Sequence, residues 1–271
     1  MTTLVASPFA ASRGAATACA KGWPSTPDAA IKDALVYFDT IHVWVSRNLK
    51  QWERDTLDTL CGSFSYRPIW RPTDRWMWLL GYRVKLVLQQ PSRDAFEFLR
   101  QRLRERPAPM INRVDCAFDF LTSNHAKAER LQLYIDARWY KPYHREKHGV
   151  EIFAQATTYL GFKNWKSRYV TYADKPSRHM GGPCCHLECR FQSARVVAAL
   201  GIDSIKDLLA FDHKAFWEKR LRLYEYDLEE LGKRWNGRHL NSAPAIQKFG
   251  NFTYNADKRV GETLVRLLAA K

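Results

Sequence analysis

The chain has no apolar run approaching the 18 or so residues that a membrane-spanning helix needs. Its first 30 residues are rich in Ala, Ser and Thr but lack a continuous apolar stretch, so they read as a flexible leader and not as a signal peptide. No Cys-x-x-Cys pair occurs. The six cysteines, at 19, 61, 116, 184, 185 and 189, are irregularly spaced, which excludes a secreted disulfide framework and points to reduced thiols in a cytoplasm. The densest zinc-like set is His179, Cys184, Cys185, His186 and Cys189, but strand alternation puts Cys189 on the opposite face from His186. Negative charge is also scarce: 28 acidic residues stand against 43 Lys and Arg, for a net charge of +15 and a pI near 9.7. That excess is spread along the chain. The folded body itself should therefore meet a polyanion, with nucleic acid ahead of an acidic membrane surface.

What is present suffices for a large core. The 271 residues are 46% hydrophobic and 13% aromatic, enough for one large domain or two packed halves. A strand is predicted over 36–45, with Tyr37, Asp39, Ile41, Val43 and Val45 on one side. A helix over 49–60 follows, then a long strand over 78–88 within 76–90. Ser92 can cap a helix over 93–106 whose buried stripe is Phe96, Leu99 and Leu103. The pattern then repeats: a strand over 110–122, a helix over 124–138 after a possible Ser123 cap, strands over 150–162, 168–173 and 184–192, and a short helix over 194–200. Residues 203–234 read as helical, with Asp212 as a cap and an apolar stripe of Trp217, Leu221, Tyr224, Leu228 and Leu231. The expected fold is α+β, in two similar halves of mainly antiparallel sheet with packed helices, plus a helical C-terminal region. The expected divisions are 1–30, 31–109, 110–200 and 201–271.

The chemistry gathers around Arg113-Val114-Asp115-Cys116-Ala117-Phe118-Asp119-Phe120. As a strand it puts Val114, Cys116, Phe118 and Phe120 on a core face and Arg113, Asp115, Ala117 and Asp119 on the other. The two acids are about 13 Å apart along the strand, so they should not both ligate one ion. The bland reading is an exposed face whose arginine pairs with the acids. Further on, His186-Leu187-Glu188-Cys189-Arg190-Phe191 alternates with Glu188 on its polar face, and Tyr172 ends a strand three residues before Lys175. Asp115, Asp119 and Glu188 are oxygen donors of the kind that Mg²⁺ or Mn²⁺ takes. Such an ion polarises a phosphodiester, and basic neighbours (Arg113, Lys163, Lys166, Arg168 and Arg190) would hold DNA phosphates. A tyrosine can form a covalent phospho-enzyme.

Four segments occur in order: Arg-Val-Asp-Cys-Ala-Phe-Asp-Phe (113–120), Thr-Tyr-Leu-Gly (158–161), Tyr-Val-Thr-Tyr-Ala-Asp-Lys (169–175) and His-Leu-Glu-Cys-Arg-Phe (186–191). In this the chain resembles the replication initiation factor family, the rolling-circle initiators of some plasmids and filamentous phages with related conjugative relaxases. The match spans about residues 110–195. The resemblance implies that Tyr172 nicks one strand at an origin, leaving a 5′-phosphotyrosine and a 3′-OH for the host polymerase, with later strand joining. It implies that Asp115, Asp119 and Glu188 serve the metal and that Lys175 assists near the phosphate. It further implies a likeness to proteins that work with a host helicase, often as homodimers, in the cytoplasm of a bacterial host. Phe162 stands where the family has a small residue, which leaves Glu151 a competing ligand. The chain has no His-hydrophobic-His triplet of the kind other rolling-circle initiators use, and His144 and His148 lie in a charged, loop-like stretch. Two alternatives stand beside this reading: a mobilisation relaxase, and a non-catalytic DNA-binding protein using aromatic-rich segments (Trp70, Trp76, Trp78, Tyr82).

Overall fold

The structure, a computed structural model, describes residues 31–69, 74–104, 106–140, 150–153, 157–160 and 166–223. Its centre is an antiparallel pair of long strands, β1 (Ile31–Val45) and β4 (Met110–Thr122). Between them in sequence come α1 (Gln51–Leu60), β2 (Cys61–Pro68), α2 (Arg75–Leu79), β3 (Val84–Pro91) and α3 (Arg93–Arg102). After β4 come α4 (His125–Arg138), β5 (Trp139–Tyr140), β6 (Val150–Phe153), β7 (Thr157–Leu160), β8 (Ser167–Tyr172) and β9 (Cys184–Gln192). The described chain ends with α5 (Ala194–Ala198), α6 (Ile205–Leu209), α7 (His213–Arg220) and β10 (Arg222–Leu223). Eight strands form one sheet in the order β2-β3-β1-β4-β9-β8-β7-β6, every pair antiparallel, and β5 with β10 forms a two-stranded ribbon. The fold is α+β.

One face of the sheet is the core. Ile41, Val43, Leu86, Leu88, Val114, Cys116, Phe118, Phe120, Leu187 and Cys189 meet Leu57 of α1, Phe96 and Leu99 of α3, Leu131 and Ile135 of α4, Val197 of α5, Leu208 of α6 and Trp217 of α7. Phe118 stacks on Phe120 at 4.1 Å between ring centroids and meets Trp217 at 5.3 Å. Period-2 strands and period-3.6 helices of matching apolar pattern leave one surface each to bury. Ser92 opens α3 as expected, its side chain accepting from the Ala95 N–H, and Phe96, Leu99 and Leu103 are buried. Ser92→Ala is expected to lower the urea midpoint by an amount worth about 1 kcal/mol, because one N–H of the first helical turn loses its acceptor.

Several expected elements are corrected. Residues 76–80 belong to α2 and its end, because Gly81 takes a left-handed φ of 90° that terminates the helix, so the strand begins only at Val84. The predicted strand over 150–162 folds back on itself: Ile152 pairs with Thr158 across β6 and β7, although the intervening Ala154-Gln155-Ala156 holds no Gly or Pro. Asn124, not Ser123, caps α4, accepting from the Lys127 N–H. In the region read as helical over 203–234, Asp212 caps α7 as expected, accepting from the Ala215 N–H after the short α6; the correction is that α7 ends at Arg220 and the chain then pairs as β10. Trp217 and Leu221 of the predicted stripe are buried; Tyr224, Leu228 and Leu231 lie outside the described residues.

Candidate functional site

The face of the sheet opposite the core carries the polar residues of β1, β4, β8 and β9, and its cross-strand rows set the geometry. Asp115 stands between Thr40 on β1 and Arg190 on β9, with Arg168 beyond. In the next row Tyr37, Ala117, Glu188 and Val170 follow one another, and in the third Asp119, His186 and Tyr172 do. Ala117 carries only a methyl group between its neighbours, and the Glu188 carboxylate reaches toward Asp115.

A bulge supplies the third acid. The β1–β4 register shifts between Phe38 and Thr40, leaving Asp39 as an extra residue opposite Asp115. Tyr37 and Asp39 therefore face the polar side, while Ile41, Val43 and Val45 return to the core. The prediction that all five share one side is thereby corrected. Oxygens of Asp39, Asp115 and Glu188 lie within 4.8 Å of one another, and Asp115 and Glu188 are buried. Three carboxylates converging with two of them buried is a donor set that fits a hard divalent cation. Among the described residues it is the only group of three or more His, Cys, Asp or Glu so placed. The cysteine–histidine set does not converge: Cys185 and Cys189 are in the core, across the sheet from His186.

Two arginines hold two of the acids. Arg113 donates from Nε to both oxygens of Asp115, at 3.0 and 2.9 Å, and Arg190 grips Glu188 bidentately at 2.9 and 2.7 Å. Of the bland reading, the Arg113–Asp115 pair is found, but Arg113 does not pair with Asp119 and both acids are buried, not exposed. Burial, and then the charge of Glu188 beside it, push the Asp115 carboxyl well up despite Arg113. Burial also pushes Glu188 up, but the hydrogen bonds and charges of His186 and Arg190 outweigh it, and Glu188 stays ionised well below the usual carboxylate range.

Asp119 belongs to a different set. It accepts from Ser177 Oγ at 2.6 Å and from the Tyr37 hydroxyl at 3.3 Å, and it meets His186 Nδ1 at 2.6 Å. Burial works against an imidazolium at His186, yet Asp119 and Glu188 overcome it and lift its pKa to about 9. The His186 ring stacks on Tyr172 at 4.3 Å, and Lys175 Nζ lies 5.4 Å from the Tyr172 ring centroid. Burial first, then the charges of Glu188, Asp39 and Asp119, hold the proton on the Tyr172 phenol far above its ordinary range, with Arg178 partly opposing. Tyr37 is raised in the same way, by burial and by Asp119, and it feels Tyr172 as a neighbour.

Of the sequence candidates, Asp115, Glu188, Arg113 and Arg190 gather in one network, and Asp119, Tyr172 and Lys175 in the adjoining one. Arg168 lies at the same face, its guanidinium 3.9 Å from the centroid of the Tyr159 ring. Lys166 is exposed at the start of β8. Lys163, His144 and His148, and the side chain of Glu151, lie outside the described residues. Asp39, Tyr37 and Ser177 were missed, and His186 entered only as a zinc candidate. An acid and a tyrosine apparently pointing into an apolar strand face were the available sign of the bulge.

No known protein-family profile matches the chain, and no curated protein sequence matches it. Among solved structures, a rolling-circle replication initiator protein from Geobacillus stearothermophilus aligns over 88% of this chain and 96% of its own, with a TM-score of 0.42 and 11% identity. A likeness of that degree assigns no activity.

Proposed function

We propose that the chain is a rolling-circle DNA replication initiator, which nicks one strand at an origin in a metal-dependent reaction and later rejoins it. The observation that carries this reading is a strand-end tyrosine placed beside a three-carboxylate cluster, two of whose acids are buried, on the sheet face opposite the core of a strongly basic protein. Asp39, Asp115 and Glu188 would hold Mg²⁺ or Mn²⁺, whose role when bound is to polarise a phosphodiester and offset the acids' charge. Tyr172 Oη attacks phosphorus and gives up its proton to solvent, while the P–O3′ bond breaks and the 3′-oxygen takes a proton from water to leave as the primer hydroxyl, so a 5′-phosphotyrosine remains. His186 sets the plane of the Tyr172 ring and is itself fixed by Asp119. In this reading Lys175 would hold the scissile phosphate and Lys166 and Arg168 the strand around it, with Lys163 proposed from the sequence alone. Work with a host helicase and polymerase, a homodimeric state and a bacterial cytoplasmic setting belong to the same proposal. Among the described residues no helix is long and apolar enough to cross a membrane.

One observation favours a non-catalytic DNA-binding protein instead: Arg113 and Arg190 already neutralise two of the three acids. Incubating origin-bearing supercoiled DNA with the protein and Mn²⁺, then digesting and weighing DNA-linked peptides, separates the two. The expected product is a nicked circle joined to the peptide that contains Tyr172. A gel shift without any change of topology, equal with and without EDTA, would leave only the binding protein.

A further inference from the structure

The acid-bearing face of the sheet has a second feature toward its other end. An open cavity of about 520 Å³ is lined by Trp44, Tyr66, Arg67, Ile69, Asp74 and Lys85 among others, a size that takes a nucleotide-sized ligand. Arg67 on β2, Lys85 on β3 and Trp44 on β1 are direct cross-strand neighbours, so they stand in one row on this face. Lys85 Nζ lies 5.6 Å from the Trp44 ring centroid.

Positive charge is in excess there. Burial, and then the charges of Arg67 and Arg113, pull the Lys85 pKa down, with Asp74 partly offsetting them. His42, one row closer to the acids, is held neutral by burial and by Lys85, Arg113 and Arg67, its pKa falling to about 3. Among the described residues neither Lys85 nor Arg67 forms an ion pair. Trp44 is only 7% exposed, and its indole N–H finds no acceptor. Crowded cations and an aromatic ring lining one cavity match an anion attached to a flat group. Arg113 links the two regions, since its charge acts on Lys85 and His42 while its guanidinium holds Asp115. Along β1 the step from Asp39 to Trp44 is about 16 Å, a few nucleotides of strand.

We propose that this cavity is a subsite for one nucleotide of a single DNA strand, its base against Trp44 and its phosphate on Lys85 and Arg67, registering the strand so that the scissile phosphate reaches the acids. The proposal rests on the nicking reading only in taking DNA as the substrate.

The test is fluorescence anisotropy of a labelled oligothymidylate in EDTA, where no cleavage intervenes. Lys85→Gln and Arg67→Gln are each expected to weaken binding several-fold and to reduce the slope of log K against log salt by about 0.7. Trp44→Leu should weaken binding roughly 5- to 100-fold with the slope unchanged, as for loss of one stacked base. Because Trp44 also packs on Ile69 and Tyr82, a 5-iodouracil oligonucleotide irradiated on the wild-type protein provides the second arm, with a crosslink expected on the Trp44 peptide. Wild-type affinity in the lysine and arginine variants together with no Trp44 crosslink overturns the subsite, whether or not the protein nicks. Displacement of the oligonucleotide by micromolar dATP or dTTP also overturns it, by showing a site for free nucleotides. If the variants weaken strand binding while no nick forms on any origin DNA, the subsite stands and the nicking reading falls.

Discussion

Tyr172→Phe is expected to abolish the covalent protein–DNA adduct and to slow nicking by on the order of 10³-fold or more, with the fold intact. Phenylalanine keeps the ring that stacks on His186 at 4.3 Å and lies beneath Lys175. The lost hydroxyl makes no hydrogen bond among the described residues, so stability should move by less than about 0.5 kcal/mol. Only the oxygen that would become the phosphotyrosine linkage goes. Tyr37→Phe is the matched control. Its hydroxyl sits 3.3 Å from both Asp119 oxygens, its phenol is raised by the same burial and acidity, and it too lies close enough to be a nucleophile. With Tyr172 as the attacking group, Tyr37→Phe retains the adduct. If the adduct survives in Tyr172→Phe and vanishes in Tyr37→Phe, the roles are exchanged. If it survives in both, neither tyrosine is the nucleophile. Adduct yield on denaturing gels and thermal unfolding of both variants decide among these outcomes.

How much of this was legible in the sequence depended on backbone regularity. The β4–β9 register runs unbroken from Arg113 opposite Gln192 to Leu121 opposite Cys184, so simple alternation placed Asp115, Asp119, Glu188 and Arg190 on one face and the core residues on the other. The separation of Asp115 from Asp119 was legible too, and the structure gives them different partners: Asp115 meets Glu188 and Asp39, while Asp119 meets His186, Ser177 and Tyr37. Asp39 was not legible, because a single extra residue reverses the parity of every side chain on one side of it. Ser177 was hidden for another reason. It arrives in the β8–β9 connection, whose path is set by contacts distant in sequence, and no local periodicity encodes that approach. The strand expected over 78–88 is found only from Val84, because Trp78, Leu79 and Leu80 are apolar enough for either period and the left-handed turn at Gly81 separates helix from strand.

The bulge also indicates which acid to change. Asp115 and Glu188 each hold an arginine, so replacing either strips a partly buried guanidinium of its partner, at a cost on the order of a few kcal/mol. A lost activity would then mix folding with metal binding. Among the described residues Asp39 has only neutral hydrogen-bond partners, the Thr40 hydroxyl at 3.1 Å and the Gln90 amide at 3.5 Å. Asparagine keeps an oxygen for them and removes one of three crowded negative charges. In the wild-type protein, Mn²⁺ at a hundred times its dissociation constant should stabilise the fold by about 2.7 kcal/mol, a Tm increase of roughly 5–10 °C. In Asp39→Asn that increase should largely disappear, while the Tm in EDTA stays level or rises slightly. Metal-dependent adduct formation should fall by on the order of 10²-fold or more, because the charge that stabilises the leaving oxygen is no longer held in place. An undiminished Mn²⁺ shift in Asp39→Asn would put the ion somewhere other than the carboxylate cluster. A large loss of Tm in EDTA would instead make Asp39 a structural residue whose bulge serves β1 and not the site. The two measurements together separate a built cation site from three acids that merely share a fold's polar face.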